Sequence, residues 1–212
     1  MQSFVREQSF INHFECAGVH SPKTKKLTSA ESMALKPTIY KFNIALADLN
    51  HDHYPNLNLT VGQHPSETVE RMLVRLLVFC LHSHEDTDEL MTFTKGLSDA
   101  EEPDIWHKGF DGLINTWIDI GEPSFERMKK ACRLAKQTYV YSFNSKSNVW
   151  WKQQEAQFST LPIKVFSFDW PQIKVFAEHI KRTASWSITL SDESLFVTTD
   201  EAQIEIAWKS LQ

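Results

Sequence analysis

With 212 residues, 42% of them hydrophobic and 23% charged, the chain has the material for one soluble domain with a full core. Its formal net charge of -5 lacks the basic surplus that nonspecific grip on duplex DNA usually requires. No apolar run reaches bilayer length, and the start Met1-Gln2-Ser3-Phe4-Val5-Arg6-Glu7 has no secretory core. Cys16, Cys80 and Cys132 form neither a disulfide framework nor a CxxC zinc site, so a reducing, cytoplasmic location and no membrane partner are expected.

Residues 1–32 show no sustained period and hold the basic, turn-prone run Ser21-Pro22-Lys23-Thr24-Lys25-Lys26. They read as a flexible arm or as residues upstream of a start at Met33, and the lysines as a solvated tail rather than a nucleic-acid arm. Residues 33–212 read as a single domain. Residues 38–47 alternate apolar and polar, as do residues 57–61, and the Asn/His/Asp-rich turn between them makes a hairpin.

His64-Pro65-Ser66-Glu67 reads as a helix start, with Pro65 in the first turn and Glu67 at the positive end of the dipole. Val69, Met72, Leu73, Leu76, Leu77 and Cys80 repeat at helical spacing, and the helix should end near residues 82–86. On its wheel Glu70 flanks the apolar stripe, while Glu67 and Arg75 point away from it. His82-Ser83-His84 then reads as a surface helix terminus rather than a metal site.

Residues 93–103 suit a loop or short strand. Residues 113–121 suit a buried strand, ended by Gly121-Glu122-Pro123-Ser124, with Ser124 as cap of the next helix. Phe125, Met128, Cys132 and Ala135 form that helix's inner stripe, and residues 138–143 form a second central strand. Strand, helix and strand make a βαβ unit with a parallel pair. A short helix around Val149-Trp150-Trp151, a strand over 163–168, a helix over 171–180 and a hairpin or small meander over 185–206 complete an α/β fold with a mixed sheet flanked by helices.

Six glycines, none in a GxGxxG or P-loop cluster, argue against phosphate cradles, and neither GxSxG nor HExxH occurs. The chemistry lies instead with Asp119, an aspartate between Ile118 and Ile120 in an apolar strand. Such a residue costs free energy unless it is paired or binds a metal. It either caps the following helix or marks a site at the strand's carboxyl end, where βαβ sheets collect ligands.

Pro103-Asp104 and Asp119-Ile120-Gly121, with about 14 residues between the acids, resemble a PD-(D/E)xK nuclease signature. There the acids hold Mg²⁺ or Mn²⁺ for phosphodiester cleavage, and a lysine positions the water. Gly121 stands where that lysine belongs. Lys129, on the flank of the next helix's stripe, is the candidate replacement, or else drapes its stem over the core edge. Glu70 would complete the set.

Several separated motifs, in this order, make the chain similar to the YaeQ family from Met33 to the C-terminus. They are Met33-Ala34-Leu35-Lys36-Pro37-Thr38-Ile39-Tyr40-Lys41, His64-Pro65-Ser66-Glu67-Thr68-Val69-Glu70-Arg71-Met72, Phe93-Thr94-Lys95-Gly96-Leu97 and Glu102-Pro103-Asp104-Ile105-Trp106. Trp117-Ile118-Asp119-Ile120-Gly121-Glu122-Pro123, Lys129-Lys130-Ala131-Cys132, Tyr141-Ser142-Phe143-Asn144-Ser145 and Trp150-Trp151 follow. The resemblance implies a variant of the restriction-endonuclease-like fold, with Asp or Glu admitted at position 119. Two functions are open. One is a Mg²⁺-dependent nucleic-acid phosphodiesterase, with Asp104 and Asp119 as metal ligands and Glu70 and Lys129 in support. The other is a non-catalytic nucleic-acid- or protein-binding module on that scaffold, with Asn144, Ser145 and Trp151 reading a ligand, although Trp150 and Trp151 are more often core aromatics.

Overall fold

The alternation in residues 38–47 reappears as β1 (Thr38–Asp48), whose even-numbered residues are buried from Tyr40 to Asp48. It is part of a computed structural model in which residues 36–95, 97, 99 and 101–212 are described. The arm expected over residues 1–32 lies outside them. β2 (Asn56–Gln63) pairs antiparallel with β1, so the hairpin forms in the register the turn dictates.

The first helix, α1 (Val69–His82), starts later than its sequence suggests. Thr68 is the cap, its hydroxyl accepting from the Arg71 amide, so Pro65 precedes the helix rather than sitting in its first turn. Glu67 thus precedes the helix and turns inward. Arg75 does not point to solvent either: α1 is buried almost all round between the sheet, β2 and a later helix, and Arg75 is only 3% exposed.

Two short strands follow, β3 (Met91–Phe93) and β4 (Ile105–Lys108), antiparallel to each other; β4 then pairs with β5 (Ile114–Ile120). α2 (Phe125–Leu134), capped by Ser124, leads straight into β6 (Ala135–Ser142), parallel to β5 as the βαβ reading requires. α3 (Ser147–Phe158), β7 (Lys164–Phe168) and α4 (Trp170–Ala177) come next, with β7 parallel to β6.

The tail is more than a local meander. β8 (Thr183–Ser191), β9 (Ser194–Thr198) and β10 (Gln203–Ser210) occupy the middle of a ten-stranded mixed sheet of order β2-β1-β8-β9-β10-β7-β6-β5-β4-β3. β8 runs parallel to β1, while β10 pairs through its first half with β9 and through its end with β7. One chain end thereby joins two halves that are separate in sequence.

Parity separates two cores. Ile118, Ile120, Tyr139 and Tyr141 face α1 and α4, whereas Trp117 and Val140 face α2 and α3, joined by Met128, Trp151 and Phe158. Trp151 is therefore a core aromatic, not the ligand reader allowed for on sequence. The parity also gives the two aspartates different directions. Asp119 shares the face of Trp117, toward α2, while Asp104, just before β4, turns to α1.

Candidate functional site

Asp104 and Asp119 line one cleft of about 440 Å³ at the carboxyl ends of β5 and β6. Both are buried, at 3% and 2% exposure. Each is already occupied. Arg127 Nε donates to Asp119 Oδ2 at 2.7 Å and its Nη2 to Oδ1 at 2.8 Å, the bidentate fork that guanidinium geometry favours. The same Nη2 also donates to the Glu102 carbonyl at 2.8 Å, and the guanidinium stands 5.9 Å from the Trp117 ring. α2 positions this group because its cap at Ser124 fixes Arg127 in the first turn, below the end of β5.

Asp104 is held from the other side. Its Oδ2 accepts the Ile120 amide at 2.8 Å, so the carboxylate completes the end of the β4–β5 pairing. Its Oδ1 accepts from Arg71 Nη2 at 2.6 Å. Arg71 Nη1 donates in turn to Glu67 at 2.8 Å, and Glu67 takes both Nε and Nη2 of Arg75 at 2.8 Å. Arg75 also donates to the Gly62 carbonyl, tying β2 to the network. The Glu67 and Arg75 side chains are 1% and 3% exposed, so this pair stands only because geometry and extra hydrogen bonds offset the desolvation of both ions.

Burial pushes the Asp119 carboxyl up, with the neighbouring Asp104 charge adding to it, and Arg127 opposes that push. Asp119 holds the Arg127 proton more tightly in return, against the pull of burial. Burial likewise works against the Arg71 charge, yet Asp104 and Glu67 outweigh it and raise the guanidinium's pKa.

Glu70 and Lys129 lie outside the lining of this cleft. Glu70 is half-buried on α1. Lys129 Nζ rests 5.6 Å from the Phe125 ring centre on its own helix. Gly121 lines the cleft with φ +109°, a conformation L side chains rarely adopt. Its amide bonds the Tyr141 carbonyl at 2.8 Å. A lysine at that position would be strained, so the departure from the nuclease signature is built into the backbone. Asn144 reaches the cleft, and Ser145 lines a neighbouring one.

The residues that sequence reading left out are the arginines. Glu67, Arg71 and Arg75 stand at spacings of four along the chain, a signal for one helical ridge, and its meaning is hidden until Glu67 is known to precede the helix. A second departure lies at the other end of α1. His82 and Ser83 are buried, at 4% and 5% exposure, so this terminus is not a surface one. His82 Nε2 meets the Tyr141 hydroxyl at 2.8 Å and Nδ1 meets Glu85 at 3.2 Å. Glu85 also accepts from Thr116 and Tyr139 at 3.3 Å.

Among the described residues, no helix is long and apolar enough to cross a membrane. The family model of the YaeQ protein matches residues 33–208. The uncharacterized protein YaeQ of Salmonella typhi is 36% identical over 184 residues, covering 84% of this chain and 98% of that protein. Its Escherichia coli K12 counterpart is 34% identical over the same shares. Among solved structures, the YaeQ protein from Xanthomonas axonopodis pv. citri superposes with a TM-score of 0.78 at 28% identity, covering 83% of this chain and 98% of the other. That from Pseudomonas syringae gives 0.77 at 31%, covering 83% and 96%. A match over nearly the whole described fold, in sequence and in structure alike, establishes that the chain belongs to the YaeQ family.

Proposed function

We propose that the cleft is a non-catalytic recognition site for a lysine- or arginine-bearing segment of a protein partner, carried on a restriction-endonuclease-like scaffold. The observation behind this reading is the charge inventory of the lining. Asp99, Glu102, Asp104, Asp119 and Glu122 face Arg71 and Arg127, five carboxylates against two guanidiniums, an excess of three negative charges. The two aspartates that a nuclease would spend on metal are the ones the arginines hold. Asp99, Glu102 and Glu122 form no ion pair among the described residues, so the free charge sits at the mouth. Leu97, Pro103, Ile120, Pro123 and Phe143 supply apolar surface between the acids. Acid above an apolar floor suits a long cationic side chain, which buries its stem and keeps its head polar. It repels a polyphosphate backbone.

The scaffold assignment is supported by the mixed sheet, the βαβ unit and the acids at its carboxyl end. The same convergence favours a second reading, a Mg²⁺- or Mn²⁺-dependent phosphodiesterase acting on nucleic acid. In that reading Asp119 and Asp104 would hold the metal in place of Arg127 and Arg71, and Glu70 and Lys129 would have to swing in from outside the cleft lining to support it and position water.

Fluorescence anisotropy separates the two. A labelled Lys/Arg-rich peptide is expected to bind, to weaken with salt, and to lose at least about tenfold in affinity, worth about 1.4 kcal/mol, in Glu102→Gln/Glu122→Gln. Single- and double-stranded oligonucleotides are expected neither to bind nor to be cut with Mg²⁺ or Mn²⁺. Cleavage by wild type that disappears in Asp119→Ala would overturn the binding reading in favour of the enzyme.

A further inference from the structure

The chain ends β1 with a carboxylate, Asp48, that is completely buried. Its Oδ1 is engaged by the turn that follows, accepting the amides of Asn50 at 3.0 Å and His51 at 3.2 Å. This fixes the carboxylate plane and leaves Oδ2 directed at two imidazoles. His51 Nδ1 is 2.8 Å from it and His84 Nδ1, which also donates to the Leu81 carbonyl at 3.0 Å, is 3.7 Å from it. No lysine or arginine pairs with Asp48 among the described residues, which separates it from every other buried acid of the α1 network.

The two histidines come from distant parts of the sequence. His51 sits in the β1–β2 turn, and His84 in the 3-10 turn Ser83–Glu85 that follows α1. Their rings stack at 3.5 Å with planes only 5° apart. The fold thus brings imidazole edges from two elements to one buried carboxylate. One ligating atom from each of the three residues lies within 4.8 Å of the others, the one such set of histidine, cysteine and carboxylate groups found among the described residues. Ligands of one tetrahedral zinc, with bonds of about 2.0–2.2 Å, stand a little over 3 Å apart, so the set closes when the two rings tilt out of their stack and His84 Nδ1 releases its proton and the Leu81 carbonyl.

We propose that Asp48, His51 and His84 form a binding site for a borderline divalent transition metal, Zn²⁺ first among them. Two imidazoles and one carboxylate are a zinc, cobalt or nickel donor set; Mg²⁺ and Ca²⁺ prefer all-oxygen shells. The ion takes the place of the proton in the hydrogen bond between His51 and Asp48 and brings a positive charge to this buried acid. Three protein ligands leave an open coordination position. The same three residues line a cavity of about 270 Å³ with Glu85, Tyr139, Tyr141 and Lys164, which gives water or a small anion room to fill that position. Glu85 Oε1 is already 3.9 Å from His84 Nε2, close enough to orient the ring as an outer-sphere partner. The site shares no residue with the cleft, so it stands or falls apart from the peptide-binding reading.

The test is a competition titration of the full chain against a chromophoric zinc chelator, repeated with Co²⁺ to read its visible spectrum. Wild type is expected to bind with 1:1 stoichiometry at this site and to give the intense Co²⁺ bands of a four- or five-coordinate ion. His51→Ala and His84→Ala are each expected to weaken this binding by at least about tenfold and to lose the bands. His51 is half-exposed in a turn, so its variant should keep the wild-type circular dichroism with a lower Tm, because Asp48 loses one hydrogen bond, and His64→Ala should bind as wild type. Millimolar Mg²⁺ should not compete. Equal affinity, stoichiometry and spectrum in wild type and a folded His51→Ala would overturn the assignment.

Discussion

At the N-terminal end of α1, the buried carboxylates of Glu67 and Asp104 are met by the guanidiniums of Arg71 and Arg75. At its C-terminal end, about 21 Å along for a 14-residue helix, Asp48 and Glu85 are met by the imidazoles of His51, His82 and His84. A guanidinium stays charged at every accessible pH and has no lone pair to give a metal. An imidazole titrates near neutrality and ligates. The end that carries more of the expected nuclease residues is therefore the chemically quieter one, its acids neutralised for good. The end whose histidines read as a bland terminus keeps exchangeable partners.

The contrast can be tested most severely at Arg75. Arg75→Ala leaves the buried Glu67 carboxylate with Arg71 alone and one oxygen without a charged partner, and a loss of about 3 kcal/mol is expected in chemical denaturation. Replacing both members, Glu67→Gln with Arg75→Met, should lose less than the single change. Retention of stability in Arg75→Ala would remove the structural role of the guanidinium end. A smaller effect is expected at Asp104. Asp104→Ala leaves the buried Ile120 amide without its acceptor, at a cost of about 1–3 kcal/mol, while Asp104→Asn keeps one acceptor and loses less. Equal losses in the two variants would mean that charge on Arg71, not the strand-end hydrogen bond, is what Asp104 supplies.

The smallest effect separates the ends by pH. Burial pushes the Glu85 carboxyl up, but the hydrogen bond and charge of His82, with His84 and Tyr139 behind them, outweigh it and hold the group down to about 2. A carboxyl depressed in the folded state contributes stability above its ordinary value of 4.5, and that contribution fades as pH falls toward about 2. Glu85→Gln should flatten this part of the Tm-against-pH curve, lowering Tm across the neutral range, where the carboxylate contributes, and converging with wild type as pH falls toward about 2. An unaltered acid limb would show that His82 does not hold Glu85 in its charged form.

The sequence by itself determined the elements whose pattern is local. β1 and β2 follow from alternation, α2 from its Ser124 cap and apolar stripe, and the βαβ unit from their order, because side-chain period and capping act over a few residues. It also marked Asp119, since an aspartate inside an apolar strand must find a partner. The tertiary structure alone decided which partner. Arg127 faces Asp119 because parity puts that carboxylate on the α2 side. Glu67 turns inward because Thr68, not an earlier residue, caps α1. The same holds for β3 and β4, too short to carry a period, and for the tail strands, whose place mid-sheet depends on pairing with β1 and β7 far away in sequence. Asp48, His51 and His84 meet only when β1 and the end of α1 are brought side by side, a juxtaposition that no local spacing encodes.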